Sequence, residues 1–82
     1  MMFSEAEVVT FVETVSVQQL RGWVRAGWIV PATGANGSVF DELDVARVRL
    51  IYELRVDLDL PDDAVPVVLS LLDQVHGPRR EL

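Results

Sequence analysis

The sequence predicts an all-α domain of about four helices with one short hairpin, and three observations carry that prediction. Helix-start signals recur: Ser4-Glu5-Ala6-Glu7, Ser16-Val17-Gln18-Gln19, and Asp41 with Asp44 each place a capping side chain ahead of apolar residues. Between the second and third of these lies WIVPATGANGSVF, Trp28 to Phe40, whose hydrophobic ends flank Gly34, Asn36, Gly37 and Ser38. That is the composition of a tight reversal between two short strands. Finally, Pro61 with Asp62 and Asp63 opens a last apolar run, as suits the first turn of a helix.

The first helix is expected over about residues 5–13, with Val8, Phe11 and Val12 on one face. The second is expected from about Val17 to Ala26. Val15 and Leu20 take the two places of a hydrophobic staple, and Gly27 is its left-handed stop. Only Thr14, Val15 and Ser16 separate the two, so they must cross steeply, as in a helix-turn-helix. Ile29 and Val39 are expected to pair as the ends of the hairpin. Pro31 keeps that ladder short because it has no amide to donate.

Asp41 starts the third helix, with Leu43, Ala46, Leu50, Ile51 and Leu54 as its apolar stripe and Arg47, Arg49 and Arg55 mostly elsewhere. The fourth begins near Pro61 but is expected to be regular only from about Ala64. Pro66, if already inside the helix, would crowd the carbonyl of residue 62. Val65, Val68, Leu69, Leu72 and Val75 form one face, and Val67 and Leu71 a second strip. Gly77-Pro78 should end the helix, leaving 79–82 as a frayed tail. Residues 1–82 make one domain, too short for two.

Composition narrows the function classes. Half of the 82 residues are hydrophobic, yet no run approaches the roughly 20 apolar residues of a membrane span. MMFSEAEVV carries acids where a signal peptide carries bases, and there is no Cys. A cytoplasmic setting is therefore expected. Catalysis is not. His76 is the only histidine, and beside Gly77-Pro78 it reads as a residue favouring the helix dipole. Asp57, Asp59, Asp62 and Asp63 flank a helix–helix turn, where the ordinary role of acids is solvation. DLDLPDD lacks the central Gly and closing Glu of a calcium loop, so no metal or other cofactor is expected.

The charge balance is the more telling quantity. Thirteen acids oppose seven basic residues, all Arg, for a net charge of −6. Duplex binding needs several cations on phosphate, so nucleic acid is an unlikely partner on charge alone and a basic partner fits better. If the second helix did enter a major groove, it would offer Gln18, Gln19, Arg21 and Arg25. Against that stand Glu5, Glu7 and Glu13 on a first helix with no base, and a hairpin with no Lys or Arg.

The order of these parts resembles the MerR-like winged helix-turn-helix domain. VSVQQLRGWVRAGWIVP is similar to its second helix and the approach to the wing, and Asn36-Gly37 with Phe40 to the wing's return. More narrowly, Val39-Phe40-Asp41, Leu58-Asp59-Leu60-Pro61 with Ala64-Val65, and VVLSLLDQVH resemble the chaperone-modulator (CbpM-type) family. The resemblance covers about residues 8–76. It implies a non-catalytic protein that binds and inhibits the J-domain of a DnaJ-like co-chaperone of the curved-DNA-binding type. A J-domain engages its chaperone partner with a basic helix, which an acidic protein could mask.

The candidate contacts are two acid sets: Asp41, Glu42 and Asp44 at the start of the third helix, and Asp57, Asp59, Asp62 and Asp63 at the turn into the fourth. Trp23 and Trp28 are candidate anchors whose ordinary role is core packing. A DNA-binding MerR-like regulator using Gln18, Gln19, Arg21 and Arg25 is the alternative. Family members often continue into a further dimerising helix. With Leu82 as the last residue that device should be short or missing, and Val67 and Leu71 offer a homodimer seam instead.

Overall fold

A computed structural model describes residues 1–76. The chain runs β1 (Phe3–Ser4), α1 (Glu5–Phe11), α2 (Val17–Arg25), β2 (Ala32–Gly34), β3 (Gly37–Phe40), α3 (Glu42–Tyr52), a π-helical turn (Glu53–Asp57) and α4 (Val65–His76). The expected stop at Gly77-Pro78 and the tail over 79–82 lie outside the described residues.

All three expected capping boxes are formed. In α1 the Ser4 hydroxyl accepts from the Glu7 amide at 3.1 Å and the Glu7 carboxylate accepts from the Ser4 amide at 2.8 Å. Ser16 and Gln19 repeat this for α2, and Asp41 and Asp44 for α3. Each box satisfies two amides that a helix start leaves without partners. Gly27, at φ +82°, closes α2. Its amide bonds to the Val24 carbonyl and that of Trp28 to the Trp23 carbonyl, the paired bonds of a Schellman motif. Without a Cβ, Gly27 takes this conformation freely.

α1 stops at Phe11, two residues earlier than its pattern suggests. The joint to α2 therefore spans residues 12–16. It is a buried joint: Val12 and Val15 both enter the core, and the Val15 amide closes onto the Val12 carbonyl at 3.0 Å. Apolar burial in the turn overrides helix continuation there.

The mostly helical fold with its short wing hairpin is present, and the hairpin gains a third strand that was not expected: it is part of a three-stranded antiparallel sheet, in the order β1-β3-β2. β3 pairs on one side with β1 (Phe3↔Phe40, Ser4↔Val39) and on the other with β2 (Ala32↔Val39, Thr33↔Ser38, Gly34↔Gly37). Ile29 is not the hairpin's end. It is a core residue 1% exposed, and the ladder starts only after Pro31, at Ala32. Ala35 and Asn36 keep negative φ at the reversal, and Gly37, at φ +117°, absorbs the left-handed geometry. Phe40 carries the returning strand into the core, where it is 1% exposed; burying such a side chain stabilises the fold by about 2 kcal/mol.

Of the stripe expected on α3, Ile51 and Leu54 are buried as expected, but their core neighbours are Val45 and Val48, while Leu43 and Ala46 are exposed and Leu50 is only partly covered. Apolar residues lie on more than one side of this helix, so spacing alone does not select the buried side. On α4, Val65 and Leu69 are buried as expected, whereas Val75 is exposed. Pro66 falls in the first turn of α4, where no amide is needed, and residues 61–64 form an irregular turn before it. Arg47 ties the layers together: it donates to the Trp28 carbonyl and pairs with Asp73 of α4 at 2.9 Å.

Candidate functional site

The residues that would read DNA sit on α2. Gln18 and Arg25 are exposed. Gln19 is held by the cap, its Oε1 accepting from the Ser16 amide at 2.9 Å. Arg21 is held by Glu5 of α1: Nε and Nη2 donate to the two carboxylate oxygens, both at 2.8 Å. This is the bidentate geometry that also suits phosphate, filled here by the chain's own carboxylate. The hydrogen bond from Arg21 holds the Glu5 carboxyl below its usual range against the opposing effect of burial, with a further contribution from the Arg21 charge, and the Arg21 guanidinium is pushed up in turn. The pair is solvent-exposed, so its contribution to stability is small. On the wing, Thr33, Asn36 and Ser38 are exposed and no residue from Ala32 to Phe40 is a cation.

The two candidate acid sets, expected as neighbours, lie at opposite ends of the segment formed by α3 and the π-helical turn. The first lies at the start of α3 and the second beyond the π-helical turn, so about 20 Å of helix separates them at the usual rise per residue. Asp44 leaves the candidate set: it is 5% exposed, accepts from the Asp41 amide at 3.0 Å, and faces the core side of α3. Asp41 is half-buried and caps α3, accepting from the Asp44 amide at 2.7 Å. Glu42 is exposed.

The second set serves several ends. Asp59 takes φ +53° and lets the Leu60 amide reach back to the Leu54 carbonyl at 2.8 Å, ending the π-helical turn much as Gly27 ends α2. Asp62 pairs with Arg55 at 2.9 Å, and Arg55 also donates to the Leu60 carbonyl. Asp57 and Asp63 are exposed. Trp23 is core and Trp28 is packed against it, which leaves neither as a prominent anchor. Sequence reasoning missed Glu5 as the partner of Arg21, because the two are far apart in the chain and only the α1–α2 crossing joins them.

Among the described residues no group of three or more His, Cys, Asp or Glu is placed to hold a metal ion. None of the described helices is long and apolar enough to cross a membrane.

A family model described as MerR HTH family regulatory protein matches residues 6–82, nearly the whole chain. No curated protein and no solved structure gives a match. The capped α1–α2 pair, the two-strand wing and α3 are the parts such a domain requires, and the chain belongs to the MerR helix-turn-helix family of regulatory proteins.

Proposed function

We propose that this MerR-family protein is a non-catalytic, cytoplasmic modulator that binds and inhibits the J-domain of a DnaJ-like co-chaperone. The observation that carries the reading is the state of the recognition helix. Arg21 already grips Glu5, Gln19 already caps α2, and the wing beside them has no cation. A duplex would meet Gln18 and Arg25 with little else to neutralise phosphate, far short of the roughly 6–10 contacts that give strong salt-dependent binding. A net charge of −6 instead favours a basic partner, and the basic helix of a J-domain is one. Titrating the J-domain of the matching co-chaperone at low and at moderate salt tests this. Binding that weakens with salt is expected, and no binding in either condition overturns it.

A second reading, a DNA-binding regulator, is favoured by one observation: Gln18 and Arg25 are exposed on α2, where a recognition helix would present them. It requires sequence-selective duplex binding that falls steeply with salt. Undetectable binding to the promoter of its own operon removes it.

A further inference from the structure

An open groove of about 460 Å³ runs between the end of α1 and the α3–π-turn segment. Phe11 and Tyr52 line it with apolar surface, and Phe11 is 48% exposed despite its edge-on contact with Phe3 at 5.0 Å. Glu13, Glu53 and Asp57 stand on its rim with Arg49. Among the described residues none of these four makes an ion pair or side-chain hydrogen bond; the ion pairs use Glu5, Asp73 and Asp62. Three uncompensated carboxylates against one guanidinium thus border an apolar surface. The π-helical turn contributes to this: its widened ring, closed by the Leu58 amide on the Glu53 carbonyl at 2.9 Å, carries Glu53 and Asp57 to the groove. Such turns recur where function interrupts a regular helix.

The groove is too open to enclose a small molecule, whose sites bury most of the ligand. We infer that it seats a basic amphipathic helix of a partner protein, with an apolar side chain against Phe11 and Tyr52 and flanking Lys or Arg facing Glu13, Glu53 and Asp57. The apolar contact would supply affinity and the rim on-rate and orientation. This rests on the J-domain reading for the partner's name, but not for its chemistry. It also moves the principal contact away from the start of α3: of the acids expected from the sequence, only Asp57 borders the groove.

The test maps amide chemical shifts of the intact labelled protein with two probes: the J-domain, and a synthetic helix with Leu on one face and Lys on the other. Where the J-domain binds, its shifts decide, and shifts at Phe11, Thr14, Tyr52 and Asp57 support the groove. For the J-domain, Glu53→Lys with Asp57→Lys should weaken binding about tenfold, mainly through association, while spectra away from the groove stay unchanged. J-domain binding that shifts other surfaces and ignores this double substitution overturns the groove but leaves the proposed function intact. If the J-domain does not bind at all, the proposed function fails. The groove is then decided by the peptide: shifts there support it, and none overturns it. Groove shifts on simple dilution would make it a self-interface and overturn it as well.

Discussion

The exposed face of α2 and the groove beside α1 both carry charged side chains, but those side chains are in opposite states. On α2, Arg21 is closed onto Glu5 and Gln19 onto the Ser16 amide. Around the groove, Glu13, Glu53, Asp57 and Arg49 have no partner among the described residues. Charged groups already satisfied within the chain must be released before they can grip a ligand, whereas unpaired ones give up only water. On the proposed reading, the helix that would read DNA serves as scaffold and the partner docks at the groove.

Substitutions that treat α2 as scaffold should change stability and leave binding alone. The largest effect is expected from Leu20→Ala. Leu20 is fully buried under α2, and its truncation should lower unfolding free energy by about 3 kcal/mol in denaturant titration. Ser16→Ala removes the cap of α2 and should cost about 1 kcal/mol in the same experiment. If either weakened partner binding while the protein remained fully folded, α2 would be a contact surface and the contrast would collapse.

Smaller effects sharpen the other side. Asp62→Lys with Asp63→Lys lies outside the groove, and Asp62 is already paired with Arg55. It should slow J-domain association by about threefold and leave dissociation unchanged, measured by stopped flow. An unchanged association rate would remove those two acids from the partner's approach.

The smallest effect concerns Glu5. Its carboxyl is held below the usual range by Arg21, so the folded state favours the ionised form. The resulting stabilisation is present above the ordinary carboxylate pKa and is lost as pH falls through the lowered folded value. Thermal melts of wild type and Glu5→Gln between about pH 7 and about pH 3 should converge at the acid end. A gap that widens toward acid would mean that the Arg21 pair is not what lowers the Glu5 pKa.

Much of the scaffold was legible because its signals are local. A Ser or Asp with its partner three residues on marks a helix start, and Ser4, Ser16 and Asp41 all do so. Gly27 marked its stop for the same reason. What stayed hidden depends on distant residues. β1 is two residues long, and nothing in Phe3-Ser4 announces a strand until β3 lies beside it. The buried side of α3 was read only in part, Ile51 and Leu54 correctly, because Leu43 and Leu50 compete with Val45 and Val48 on neighbouring sides of one helix. Asp44 was legible as the capping partner of Asp41, but its burial was not, because its residue type is normally exposed. Neither the π-helical turn nor the groove has a spacing of its own, so Glu13 and Glu53 could not be distinguished from the other acids.

The protein-binding reading and the DNA-binding reading separate most directly in a paired titration. The same preparation is titrated with the J-domain and with its own promoter duplex, each at two salt concentrations. Saturable J-domain binding that weakens as salt rises, with no detectable duplex binding, is the predicted result. Sequence-selective duplex binding with a steep salt dependence, alongside a silent J-domain titration, would contradict it.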